Sequence, residues 1–271
     1  MKKIKVIISS SIDSNLYALL VSHLCIKESD ISIVGVITLK TVSFKRIKAE
    51  YKRIGHFLFV KVIKKFFTAS PNIKFSNVNI NNMISEFGIK SQSLKSMSNN
   101  YSIPYIKVDD LNNLQTLNFL NNYKPDLILS MGSTIIRKPF LDIPALGVLN
   151  VHMGILPYYR GMGVTEWPII ENKINDIGLG ITLHYMDSGV DTGPIIKKQK
   201  IDINGYKSID DLDSKYLIEM INLMVKGVKI TRDKKLFLEF QKSNEIDNGR
   251  QYYSTHKRMR DFAEKKLITF T

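Results

Sequence analysis

Residues 4–38 read IKVIISSSIDSNLYALLVSHLCIKESDISIVGVIT. The run Ile4–Ser9 is apolar until it ends in small polar residues, the form of a strand covered on both faces. Leu16, Leu19, Leu20, His23 and Leu24 then recur at helical spacing, and Ile31–Thr38 is a second, β-branched strand. Strand, tight polar loop, helix and strand make a βαβ unit, which implies a parallel sheet and a right-handed crossover.

The same rhythm continues outward. Strands are expected at Tyr105–Val108, Asp126–Met131, Gly147–Val151, Gly178–Tyr185 and Pro194–Ile203, and helices at Leu111–Asn121 and Asp210–Val228. Elements alternate to about residue 150 and strands dominate to about 203. The expectation is a doubly wound, mostly parallel α/β domain over residues 1–203, its late strands extending or capping the sheet, with a small helical extension over 204–271. Residues 42–100 interrupt it. Phe44, Ile47, Tyr51, Ile54, Leu58 and Val62 lie at helical spacing among eight Lys and Arg residues, opposed only by Glu50, as in a basic amphipathic helix. That helix either docks on a phosphate-rich partner or an anionic membrane, or packs on the sheet with a solvated basic face. The polar segment Ser70–Asn100 reads as loop or lid with one short helix, and the tail from Thr231 as mostly polar apart from Leu236–Phe240 and the aromatic knot Tyr252-Tyr253.

Composition sets outer limits. Hydrophobic residues make up 44% and charged residues 24% of 271, an ordinary globular balance. The single Cys25 forms no internal disulfide, the basic start has too short an apolar run for a signal peptide, and no apolar stretch is long enough to span a bilayer. The chain is therefore expected to be cytoplasmic. A net charge of +14 favours anionic partners without choosing among them, and a degenerate anion-binding module is the non-enzymatic alternative. No G-x-G-x-x-G follows the first strand, which disfavours a dinucleotide site. Residues 44–67 and the tail are candidate surfaces for a homodimer.

The chemistry is concentrated in residues 149–193, which contain LNVHMGILPYYRGMGVTEWPII and then GLGITLHYMDSGVDTGPII. Asn150 and His152 are two apart on an expected strand and so share a face. A turn-rich loop with Arg160 and Gly161 follows; His184 lies in a later strand and Asp191 in the turn 187–193. Singly, each has a bland reading: a satisfied core histidine, or an acid in a turn. The order Asn-x-His, Leu-Pro, Arg-Gly, Asp-x-Gly-Pro resembles the signature of the 10-formyltetrahydrofolate-dependent formyltransferases, most like those acting on nucleotide sugars.

That resemblance implies a Rossmann-like catalytic domain and metal-free chemistry by Asn150, His152 and Asp191, with His184 tuning the carboxylate. The co-substrate it implies is N10-formyltetrahydrofolate. When a neutral amine attacks the formyl carbonyl, Asn150 and a protonated His152 can stabilise the oxygen, by about 3–4 kcal/mol per well-placed donor. Asp191 can take the amine proton directly or through a water. The resemblance also implies a folate slot between Gly132, Ser133, Thr134, Ile135 and Ile136 on one side and Asp187 on the other; Ile135 and Ile136 read equally well as a buried core pair.

Three acceptors compete. The ribonucleotide enzymes of purine biosynthesis, phosphoribosylglycinamide formyltransferases, cradle a phosphate in a glycine-bearing loop, whereas here the loop after the first strand has no glycine, Asp13 would repel a phosphate, and Ser14 reads as a helix N-cap. The methionyl-tRNA enzymes carry a β-barrel domain larger than the about 70 residues that follow Ile203, which disfavours nucleic acid as a partner. The sugar enzymes remain. Arg160 is a candidate for a sugar nucleotide's pyrophosphate, Tyr252 or Tyr253 for its base, and Trp167 resembles their aromatic-bearing loop, although it reads equally as core. The expected product is an N-formylated sugar for a surface polysaccharide such as lipopolysaccharide O-antigen.

Overall fold

The computed structural model describes residues 3–40, 84–85, 88–89, 91–132, 134–233 and 249–270. The basic pattern over 44–65, Ser133 and the apolar run Leu236–Phe240 lie outside the described residues. Nine strands and seven helices are described: β1 (Ile4–Ser10), α1 (Leu16–Lys27), β2 (Ile31–Leu39), α2 (Leu94–Asn100), β3 (Tyr105–Val108), α3 (Leu114–Tyr123), β4 (Leu127–Met131), α4 (Lys138–Leu141), β5 (Val148–His152), β6 (Tyr159–Gly161), α5 (Glu166–Ile170), β7 (Gly180–Tyr185), β8 (Ile195–Lys200), α6 (Ile209–Arg232), β9 (Arg250–Tyr252) and α7 (Lys257–Leu267).

Seven strands form one sheet in the order β3-β2-β1-β4-β5-β7-β8. The first five are parallel and β7 and β8 run antiparallel, so the late strands extend the sheet as the sequence implied. In β1, Ile4, Val6 and Ile8 join the core beneath α1 and α6, while Ile7 joins Phe119, Leu120 and Phe140 on the other side. This two-sided burial is why β1 reads as an unbroken apolar run and not as an alternating one. The chain winds outward through β2 and β3 on one side of β1, then crosses to β4 and β5 on the other. The reversal opens a crevice beyond the carboxyl ends of β1 and β4, the usual ligand position in such sheets.

Side-chain caps account for the helix starts. Asn15, and not Ser14, caps α1: its Oδ1 accepts the Ala18 N–H at 3.3 Å, and its amide also donates to the Met131 carbonyl at 2.9 Å, tying the β1 loop to the end of β4. Asn113 accepts the Thr116 N–H at 2.8 Å, so α3 begins three residues later than the apolar pattern beginning at Leu111 suggests. The long α6 is capped by Ser208, carries Asp210 and Asp211 in its first turn and Lys229 and Arg232 in its last, and lies against β5 and β7. α7 was not legible, because only Ala263 and Leu267 of its eleven residues are buried.

Helix α6 approaches β7 most closely at Gly227, where a Cβ would stand 2.8 Å from the Leu183 side chain. Filling that contact in a packed core displaces the Leu183 side chain or the helix, so Gly227→Val should lower unfolding stability by about 1–3 kcal/mol, read from urea midpoints. A neutral or stabilising effect would mean that the helix is free to move outward.

Candidate active site

β5 presents Asn150 and His152 on one face, and its antiparallel partner β7 sets His184 directly opposite Asn150. The His184 ring is 1% exposed, and its Nδ1 lies 2.8 Å from the Tyr185 carbonyl. A carbonyl only accepts, so Nδ1 carries the proton and Nε2 offers a lone pair to the Asn150 amide, 3.2 Å away. Burial pushes the His184 pKa down to about 4 in spite of Asp191 nearby, so the ring is neutral at physiological pH. The neutral ring fixes which way the Asn150 amide faces.

His152 is held by the same logic. Its Nε2 lies 2.7 Å from the Tyr159 carbonyl and must carry a proton, which leaves Nδ1 as the nitrogen facing Asp191 Oδ2 at 3.5 Å. Asp191 Oδ2 also accepts the Gly161 N–H at 2.9 Å, and Oδ1 lies 3.7 Å from His184 Nε2. Asp191 adopts φ +54°, the left-handed region that an Asp tolerates and few other non-glycine residues do. Its loop is fixed from within: the Asp187 carboxylate accepts the Gly189 N–H at 3.0 Å and the Thr192 hydroxyl at 2.8 Å. At Gly193 a Cβ would stand 1.9 Å from the Tyr185 carbonyl, so only glycine lets the loop pass.

All three residues line a cavity of about 1030 Å³, together with Gly132, Thr134, Ile135, Ile136, Asp187, Tyr252 and Tyr253. The slot residues expected from the sequence are thus brought together with Asn150, His152 and Asp191, apart from Ser133. Ile135 and Ile136 are not a buried pair, since Ile136 is buried and Ile135 is 63% exposed. Asn112 braces this segment, donating to the Ile135 carbonyl at 3.0 Å and accepting the Arg137 N–H at 2.7 Å. Arg160 and Trp167 are not among the lining residues. The Arg160 guanidinium donates to the Gly249 carbonyl at 2.9 Å, while the Trp167 ring packs on Tyr252 and its Nε1 donates to the Tyr253 carbonyl at 3.1 Å.

The contacts that Gly161, Glu166 and Arg260 make at the cavity were not signalled by the sequence. Gly161 donates to Asp191 through its backbone, which no side chain signals. Glu166 is 5% exposed and paired with Arg260, which also holds Asp210 and Asp213. Arg260 lies in a polar helix without a motif. Among the described lining residues Glu166, Asp187, Asp191 and Asp213 are acidic and only Arg260 is cationic, so the wall is acidic in a chain of net charge +14.

The depressed His184 pKa has a stability consequence. The unfolded chain takes up a proton near pH 6.5 and the folded one only near 4, so this group's contribution is complete above about 6.5 and is lost as pH falls toward 4. His184→Gln should therefore flatten the pH dependence of urea-unfolding stability between pH 6.5 and 4 relative to wild type. Parallel curves would show that His184 titrates in the fold as it does in the unfolded chain.

Residues 2–228 match the formyl transferase family. The bifunctional polymyxin resistance protein ArnA of Wigglesworthia glossinidia brevipalpis is 31% identical over 130 residues, 48% of this chain and 19% of that protein. Methionyl-tRNA formyltransferase of Alkaliphilus oremlandii is 36% identical over 74 residues, 27% of this chain and 24% of that protein. The chain's match thus spans under a quarter of the length of either relative. The solved N-formyltransferase of Helicobacter canadensis, in complex with folinic acid and dTDP-3-aminofucose, superposes on 98% of this chain and 80% of its own with a TM-score of 0.55 at 18% identity, a likeness of fold. With β1 to β8 and Asn150, His152 and Asp191 all inside the matched residues, the chain belongs to the formyl transferase family.

Proposed function

We propose that the protein transfers a formyl group from 10-formyltetrahydrofolate to the primary amine of a nucleotide-linked amino sugar destined for a surface polysaccharide. The observation that carries the formyl-transfer reading is the convergence of Asn150, His152 and Asp191 on one cavity floor. The cavity is large enough for two ligands to meet there, and Gly132 and Thr134–Ile136, with the Ile135 carbonyl held by Asn112, line it with both apolar side chains and backbone groups.

Bound 10-formyltetrahydrofolate supplies the formyl carbon at the oxidation level of formate. Asn150, one N–H held by His184, aims its second N–H into the cavity, where it stabilises charge on the formyl oxygen as the amine attacks. His152 has Nε2 committed to Tyr159, so Nδ1 is left as the lone-pair nitrogen that faces Asp191. Asp191 takes a proton from the attacking nitrogen and one returns to the departing folate nitrogen, leaving the proton count of the site unchanged. The Gly161 N–H keeps the carboxylate aimed during that exchange.

The sugar acceptor rests on Asp13. Its carboxylate accepts the Lys95 N–H at 2.9 Å and the Tyr105 hydroxyl at 3.2 Å, so the loop after β1 carries a fixed anion of its own, which disfavours a ribonucleotide phosphate beside it. Tyr253, 72% exposed at the cavity rim, offers a face for a nucleotide base. The acceptor is read from tetrahydrofolate release with dTDP-, UDP- and GDP-linked amino sugars, glycinamide ribonucleotide and methionyl-tRNA. Turnover is expected with a sugar nucleotide alone; turnover with the ribonucleotide or the tRNA would overturn the acceptor assignment. In the same assay Asn150→Ala should lower kcat about 10²–10³-fold, the usual cost of one such donor, with its thermal midpoint retained.

A further inference from the structure

Strand β9 lies at residues 250–252, beyond the residues 2–228 that match the family. It pairs in parallel with β6, and these two strands form a sheet of their own. The Arg250 N–H donates to the Tyr158 carbonyl at 3.2 Å and the Met162 N–H to the Tyr252 carbonyl at 3.0 Å, so β9 brackets β6 from end to end. β6 in turn delivers two backbone groups to the reacting residues: the Tyr159 carbonyl fixes the tautomer of His152, and the Gly161 N–H holds Asp191. The strands pack tightly at that donor, since a Cβ on Gly161, at φ +90°, would stand 2.3 Å from the Tyr252 carbonyl.

A side-chain lock lies behind this pairing. The Glu171 carboxylate accepts the Tyr159 hydroxyl at 2.9 Å and the Tyr252 hydroxyl at 3.0 Å, one from each strand. The two rings stack with centroids 5.1 Å apart, and Trp167 packs against Tyr252 at 5.2 Å. Glu171 thus bonds to both strands through their side chains, at the position where the β6 backbone serves His152 and Asp191.

We propose that β9 is a strap contributed by the C-terminal segment, that Glu171 locks it, and that both act as positioning elements for His152 and Asp191. The strap itself stands on geometry, while its effect on turnover rests on the formyl-transfer reading. Small displacements of reacting groups are costly, and loss of an outer-layer partner commonly lowers activity about 10–100-fold.

The test uses the full chain with Glu171→Ala, Glu171→Gln and Tyr252→Phe. Tautomers of His152 are followed by ¹⁵N ring shifts in histidine-labelled protein, and kcat and KM by tetrahydrofolate release. In wild type His152 should be wholly Nε2–H. Glu171→Ala should mix the tautomers and cut kcat about 10–100-fold with the KM for 10-formyltetrahydrofolate little changed. Glu171→Gln, which still offers an acceptor, should recover most of both. Tyr252→Phe, the milder change, should shift both in the same direction and decides the matter if Glu171→Ala does not fold. Folded Tyr252→Phe and Glu171→Ala proteins with the wild-type tautomer and a kcat within twofold would overturn the strap. Absence of turnover in wild type with every acceptor would instead overturn formyl transfer, and the ring shifts would still decide the strap.

Discussion

The antiparallel pairing of β5 with β7 is the constraint on which the site depends. β5 is the last of five parallel strands and presents Asn150 to β7, which runs the other way. Reversing β7 sets His184 directly opposite it. Burial then makes His184 a neutral acceptor instead of a cation, which turns a polar strand residue into an oriented hydrogen-bond donor. The same reversal sends the chain back over the strand ends as the Asp187–Gly193 loop, which returns Asp191 to the cavity.

Each of the three proposed reacting groups is held by a neighbour outside the proposed chemistry. Asn150 is aimed by His184, His152 by the Tyr159 carbonyl, and Asp191 by the Gly161 N–H together with its left-handed backbone. Such a residue on strained backbone persists only where its surroundings over-determine it. Here the surroundings include a loop pinned by Asp187 and a glycine at 193 that nothing larger can replace. Rigidity is purchased locally, at the end of the sheet, while the acidic wall around Glu166 and Arg260 shapes the far side of the cavity.

Much of this was legible in the sequence, for identifiable reasons. Parallel strands buried on both faces read as apolar runs, so β1 to β5 could be placed almost to the residue. The Asn150 and His152 pair was visible because strand period two puts alternate residues on one face. Asn15 rather than Ser14 as the cap of α1 could not be read, because either side chain can cap and the choice is made by the Met131 carbonyl across the crevice. The short strands β6 and β9 and helix α7 were also missed. Three-residue strands carry no period, and α7 docks through Ala263, Leu267 and the Arg260 bridge to three carboxylates, a tertiary arrangement without a local signature. Arg160 was a candidate ligand contact as a cation and Trp167 through the resemblance to an aromatic-bearing loop, and both side chains bond to the tail.

The central claim is that Asp191 moves the proton that formyl transfer requires. It is tested most directly by single-turnover transfer in Asp191→Asn, an isosteric change that keeps the Gly161 hydrogen bond and removes the base. The account predicts that 10-formyltetrahydrofolate binds with wild-type affinity while the transfer step slows by at least about 10²-fold, the lower end of what a positioned base contributes. Transfer at the wild-type rate by this variant would contradict it.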